Sequence, residues 1–325
     1  MSAAPEHLAP IAERVDGRLN DLLAAERDLW ANVDPRITEA FDELIRMSGG
    51  GKRLRAAFCF WGWAGAAGVG LGAIDTPAAE ISLRTATAFE LLQAFALIHD
   101  DIMDDAATRR GERTIHAAQE ARMTAEGWRG EPRRYGEGVA ILIGDLSHVY
   151  ADQLVGEIAG ETRRLWDQLR IELNLGQYLD MRSAAAAEID QATARRVATF
   201  KSALYTIVRP LQVGASLAGP VDAEFLEQLE AYGVPAGQAF QLRDDLLGIL
   251  GDPSTVGKPV GHDLREGKPT ELLAVALEAA DATQAAVLAR VGEPDLAQHE
   301  VEAIVGVLHD VGAISEINRR IDDLT

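Results

Sequence analysis

A single cysteine, Cys59, is all that 325 residues contain. An intramolecular disulfide and a cysteine-based zinc site are therefore excluded. Cys59 sits in AAFCFWGW, a setting that predicts a small core residue and not a nucleophile. Aromatic residues are scarce, at 6%, and alternating β-branched runs are almost absent, which argues against a β architecture. No uninterrupted apolar stretch reaches the roughly 20 residues needed to span a bilayer. The N-terminus, MSAAPEHLAPIAERVDGR, lacks a basic segment followed by an apolar one, so no signal peptide is expected. Together these absences predict a cytoplasmic protein. Positive charge is also short, with 31 Lys and Arg against 51 Asp and Glu. A net charge of −20 makes nucleic acid a poor partner.

What is present is Ala and Leu at helical spacing, with 47% hydrophobic residues to fill a core. Helices are expected over about 7–31, 35–47, 53–70 and 77–106. A loop is expected at 127–138, then helices at 139–159, 161–184, 190–219, 222–232 and 235–250. The Gly/Pro-rich segment 251–270 reads as a loop, and amphipathic helices fill 270–324. No flexible linker, low-complexity tract or fixed-period repeat interrupts the chain. The expected fold is all-α, one domain over 1–325.

Against the acidic background, basic residues fall in tight groups: Lys52, Arg53 and Arg55; Arg109, Arg110 and Arg113; Lys258 to Lys268. Such clusters are candidate anion sites, better suited to a small polyanion than to a polymer.

The acidic residues cluster too. In IHDDIMDDAATRRG, Asp100 and Asp104 share one helix face, as do Asp101 and Asp105. An isolated acidic cluster at a helix end is more often solvated surface than a site. A second cluster shifts the balance. FQLRDDLLGILGD puts Asp244 and Asp245 on another apolar helix, with Asp252 two turns past Asp244. Buried carboxylates are costly without partners. If the two helices face each other, Mg²⁺ between them can clamp a diphosphate, because Mg²⁺ takes one or two carboxylates plus substrate phosphates. Arg109 and Arg110 suit bidentate phosphate contacts, and GGGKRLR adds flexible backbone with Lys52 and Arg55.

DDIMD with RRG, GGGKRLR, KSALYT and FQLRDDLLGILGD…GKPVGHDLREGKPT resemble, in order, the motif set of the trans-prenyl (isoprenyl) diphosphate synthases. The resemblance runs from about residue 49 to 270, and GWRGEPRR with RDDLLGILGDP is similar to the bacterial geranylgeranyl type. It implies a large orthogonal helical bundle around a central cavity, and a homodimer. It also implies transfer between an allylic diphosphate (C5 to C15) and isopentenyl diphosphate. Asp100, Asp101 and Asp104 would hold two Mg²⁺ and Asp244 a third, with Asp245 nearby and Mn²⁺ an alternative metal. Arg109, Lys201 and Lys258 would contact the allylic diphosphate, with Lys268 in the same basic group. Isopentenyl diphosphate would take Lys52, Arg55, Gln93 and Arg110, Gln93 standing where many bacterial members carry His. Ser202 and Gln241 would present oxygens to the allylic cation, with Tyr205 close by, and the lost proton would pass to the released diphosphate.

The second cluster departs from a full DDxxD at Gly248, so water or a neighbouring group must replace one ligand. Phe95, five residues before Asp100 and followed by small Ala96, resembles the C20 arrangement, with C15 and C25 as alternatives. The competing reading makes Phe95 ordinary core. A terpene cyclase on this fold would not need Lys52, Arg55 and Arg110, and a non-catalytic subunit would be expected to lose aspartates. His99 next to Asp100 suggests a helical HD phosphohydrolase, but only His7 lies upstream, and His116 and His148 lack ligand spacing.

Overall fold

The structure is a computed structural model that describes residues 7–186, 188–251, 261–293 and 295–325. Helix α1 (Ala9–Ala31) carries Pro10 in its first turn, where a missing N–H is harmless, and buries Ile11, Val15, Leu19 and Leu23 at intervals of four. A 3₁₀ turn at Pro35–Ile37, capped by the Asp34 carboxylate, leads into α2 (Thr38–Ser48). After the glycine loop come α3 (Leu54–Ala67) and α4 (Glu80–Met103). A hairpin of β1 (Thr108–Arg109) and β2 (Glu112–Arg113) precedes α5 (Ile115–Glu126), α6 (Pro132–Val155) and α7 (Gly160–Ala185). Helix α8 (Gln191–Ala198), a π-helix over Thr199–Val208 and α9 (Arg209–Leu217) run on without a break, as one long helix is expected to. Helix α10 (Ala223–Leu250) is followed by α11 (His262–Glu266), α12 (Glu271–Ala279), α13 (Ala282–Leu288), α14 (Gln298–Asp310) and α15 (Ala313–Leu324). The all-α expectation holds. The two-residue strands are the one exception among the described residues.

The chain divides into two compact units, one running to Leu165 with Pro210–Asp222 added, the other Trp166–Arg209 with Ala223–Thr325. Helix α4 is the spine of the first. Leu83, Phe89, Leu91, Leu92 and Ile98 are buried, and α3 and α6 pack along it. By composition and length, 77–103 is apolar enough to cross a membrane, although it includes Arg84 and Glu90 and two thirds of its most apolar window is buried. Cys59 is fully buried in α3, and burial pushes its thiol pKa up, so the core reading stands.

One buried ion pair fixes the end of the glycine loop. Arg53 caps α3 in the left-handed region (φ 51°). Its guanidinium donates to Asp16 Oδ1 (2.7 Å), Glu90 Oε2 (3.0 Å) and the Ser48 carbonyl (2.7 Å). Arg53 is 7% exposed and Glu90 6%.

The second unit is built on α10, whose Leu242, Leu246 and Ile249 pack with Leu272, Ile304 and Ile317. Separate helices are expected over 222–232 and 235–250, yet α10 runs through both and contains Pro235. Proline removes one helical hydrogen bond, but tertiary packing holds the helix together here. A Cβ on Gly237 would overlap Ala203, and one on Gly233 would come within 2.7 Å of Val208 Cγ2, so α10 lies flush against the π-helix. The expected loop 251–270 also contains α11, anchored by fully buried Leu264.

Replacing Arg53 with Ala leaves Glu90 buried without its countercharge. Denaturant unfolding is expected to show a loss of about 3–5 kcal/mol; a loss under about 1 kcal/mol would mean the pair does not hold the loop.

Candidate active site

In the first unit, the last turn of α4 carries Asp100 and Asp101, and Asp104 caps the helix. A helix C-terminus is the negative end of the backbone dipole, the wrong end for carboxylates, and no basic residue offsets them in that turn. Asp101 is 1% exposed. Its Oδ1 accepts from Arg109 Nε (2.7 Å), while its Oδ2 is buried with no hydrogen-bond partner. Burial holds the Asp101 pKa above the usual carboxylate range, against the pull of Arg109. Arg109 also reaches Asp100 at 3.4 Å.

The hairpin explains how two adjacent arginines part company. Arg109 pairs with Glu112 across it, leaving the two-residue loop Arg110-Gly111. Both loop residues have positive φ, 54° and 82°, the geometry of a type I′ turn. Arg109 turns to the aspartates. Arg110 donates to the Gly49 carbonyl (3.0 Å), with its guanidinium beside Gly50 and Gly51. Partial desolvation, then the charges of Arg109 and Arg53, hold the Arg110 pKa below its usual value. Cations crowded around a glycine loop are suited to an anion. Lys52 is exposed on that loop, Arg55 is half-buried on the first turn of α3, and Gln93 on α4 has a buried side-chain oxygen with no hydrogen-bond partner. Phe95, half-buried, packs between the rings of His99 (4.6 Å) and His148 (4.9 Å), with Ala96 beside it in sequence. Both histidines thus pack against Phe95.

In the second unit, the π-helix presents Lys201, whose Nζ meets Asp180 Oδ2 of α7 at 2.6 Å. π-Helical segments recur at functional sites. Ser202 Oγ donates to Gln241 Oε1, and Gln241 Nε2 donates to Asp245 Oδ1 (2.6 Å), so one chain of hydrogen bonds joins the π-helix to the acidic end of α10. Burial, reinforced by Asp263 and Asp244 and opposed by Gln241 and Lys268, pushes the Asp245 pKa up to about 7. Asp244 is exposed, Tyr205 is buried at 2% exposure, and Lys268 pairs with Glu266 at 3.0 Å. Asp252 and Lys258 lie outside the described residues.

The unpartnered Oδ2 of Asp101, at the carboxylate-rich end of α4, fits Mg²⁺, a hard cation that prefers oxygen. Among the described residues, no three His, Cys, Asp or Glu side chains gather closely enough to hold a metal unaided. Two partners escaped the sequence reading. Asp180 could have been found as a lone carboxylate facing inward from GQYLD. Asp263 carries no local signal, because its proximity to Asp245 is tertiary.

The polyprenyl synthetase family model matches residues 34–308. The geranylfarnesyl diphosphate synthase of Aeropyrum pernix is 30% identical over 302 residues, 90% of this chain and 86% of that protein. The geranylgeranyl diphosphate synthase of Mycobacterium tuberculosis is 34% identical over 254 residues, 76% of this chain and 62% of that protein. Among solved structures, a geranylgeranyl pyrophosphate synthase from Corynebacterium glutamicum, complexed with isoprenyl diphosphate and magnesium, is 38% identical. It superimposes with a TM-score of 0.90, covering 98% of this chain and 90% of that one.

Asp245 binds its proton more tightly folded than unfolded, with a folded pKa of about 7 against 3.8. Its ionisation therefore costs stability, progressively from about pH 4 to pH 7. Without metal, Asp245→Asn is expected to exceed the wild type by about 2–4 kcal/mol at pH 8, the gap closing towards pH 4. A variant less stable than wild type at pH 8 would contradict this.

Proposed function

We propose, from the premise that this chain belongs to the polyprenyl synthetase family, a specific division of labour in the prenyl transfer it catalyses. The enzyme is a prenyltransferase of the geranylgeranyl diphosphate synthase type. It condenses isopentenyl diphosphate with an allylic diphosphate to give a short-chain all-trans prenyl diphosphate, C20 being the product we assign. The allylic C–O bond breaks with its electron pair leaving on diphosphate. The isopentenyl double bond then joins the allylic carbon, and a proton is lost to the released diphosphate.

The observation that carries this reading is the separation of Arg109 from Arg110 by the type I′ turn. One unit thereby offers two kinds of anion site, as a reaction of two diphosphates requires and a cyclase does not. Asp100, Asp101, Asp104, Asp244 and Asp245 would hold Mg²⁺. When bound, that metal supplies charge to stabilise the departing diphosphate. Arg109 and Lys201, together with Lys258 and Lys268, would grip the allylic diphosphate. Arg109 and Lys201 are stored on Asp101 and Asp180 until a diphosphate arrives. Lys52, Arg55, Gln93 and Arg110 would bind the isopentenyl diphosphate, and the unpartnered Gln93 oxygen keeps that side chain available. Ser202 holds Gln241 from one side and Asp245 from the other, fixing an amide oxygen near the developing cation. Phe95, propped by His99 and His148, would close the chain pocket.

We assign a cytoplasmic homodimer. The apolar side chains of Ile141, Leu142 and Val149 exposed along α6 support an interface there.

With Mg²⁺, isopentenyl diphosphate and C5, C10 or C15 allylic diphosphates, chain-length analysis is expected to give mainly C20. Allylic substrate consumed without isopentenyl incorporation would instead indicate a cyclase. Asp100→Asn is expected to lower turnover by at least about 100-fold at unchanged unfolding stability; wild-type turnover would reject the metal role.

A further inference from the structure

Three facing pairs fix how α4 lies against α6. Ser147 Oγ, fully buried, donates to the Leu91 carbonyl (2.7 Å). One turn further along α4, Phe95 meets the His148 ring at a centroid distance of 4.9 Å. One turn beyond that, His99 faces Gly144. Leu91, Phe95 and His99 follow one another at intervals of four, and Gly144, Ser147 and His148 lie three and four residues apart, so each set shares one helix face.

Gly144 is buried and brings no side chain to its pair. A Cβ added there would lie 2.4 Å from both Cδ2 and Nε2 of His99. Through that gap the His99 ring reaches the α6 backbone, where its Nε2 donates to the Ile141 carbonyl (3.2 Å). The same ring packs on Phe95 at a centroid distance of 4.6 Å. Phe95 is thus wedged between one ring seated on α6 and another carried by α6. Ile98 and Ile143, beside these pairs, are each 1% exposed, so the two helices have no slack to move apart and take in an extra atom. A methyl group at 144 would therefore be accommodated by the His99 ring, which would leave the Ile141 carbonyl and its place against Phe95.

We propose that Gly144 and His99 are positioning residues for product length: the gap at Gly144 seats His99, and the seated ring holds Phe95 across the chain pocket. Neither acts on the substrate itself; both act through Phe95. This rests on the reading of Phe95 as the residue that closes the pocket. With the wedge removed, Phe95 is free to turn aside under a growing chain, and elongation passes C20.

The test is chain-length analysis of the products of the full chain with Mg²⁺, isopentenyl diphosphate and a C15 allylic diphosphate. Variants are compared at equal substrate consumption, so that turnover does not enter, with melting temperature as the fold control and Phe95→Ala as the reference. His99→Ala and Gly144→Ala are each expected to raise the share of products longer than C20 at least about threefold over wild type. The double variant is expected to give the same product lengths as His99→Ala alone, because an alanine at 144 then has no ring to evict. Where Gly144→Ala alone melts below the wild type, His99→Ala and the double variant decide. Wild-type or shorter products from either single variant, beside lengthened products from Phe95→Ala, overturn the proposal alone. A double variant with longer products than His99→Ala does the same. Phe95→Ala products no longer than those of the wild type overturn the reading of Phe95 together with it.

Discussion

Carboxylates gathered at the negative ends of apolar helices are the constraint on which the molecule turns. Asp100, Asp101 and Asp104 close α4, and Asp244 and Asp245 lie in the last two turns of α10, each helix without a basic residue in its final turn. Backbone dipole, burial and mutual repulsion all disfavour ionised aspartate there. Asp101 and Asp245 show the result, both held above the usual carboxylate range chiefly by burial. Stability alone would have selected other residues. On the proposed function, hard cations and an anionic substrate would complete the arrangement, and stability would be yielded at a functional site.

The frame around these aspartates is rigid where it must be. The buried Arg53–Glu90 pair pins the loop that carries Lys52. The type I′ turn sends neighbouring arginines in different directions, Arg109 to Asp101 and Arg110 to the Gly49 carbonyl. The π-helix lies flush against α10 through Gly233 and Gly237, which lets Ser202 reach Gln241 and Gln241 reach Asp245. Lys201 and Arg109 each rest on an aspartate, Asp180 and Asp101 respectively, and so have a defined place.

Much of this was legible in the chain. Helical periodicity locates most helices to within a few residues, and the ordered motifs point to the family that the chain belongs to. What escaped was decided by tertiary contact. The helices expected at 222–232 and 235–250 are one, α10, with Pro235 inside it. Arg110-Gly111 forms a hairpin turn whose flanking strands are two residues long, too short for any alternating pattern to show. Arg53 was visible only as one of a basic group, because nothing local reveals that Glu90, 37 residues on, lies buried beside it. Asp180 and Asp263 likewise acquire meaning from their neighbours, Lys201 and Asp245.

The acidic ends of α4 and of α10 are each proposed to bind divalent cations tightly only with a diphosphate present. Counting bound Mn²⁺ by electron paramagnetic resonance, with and without inorganic pyrophosphate, tests it most directly. The account predicts about three tightly bound ions per chain with pyrophosphate and weak binding without it, since the diphosphate completes each ion's coordination. Equal Mn²⁺ binding in the two conditions, or none in either, would contradict it.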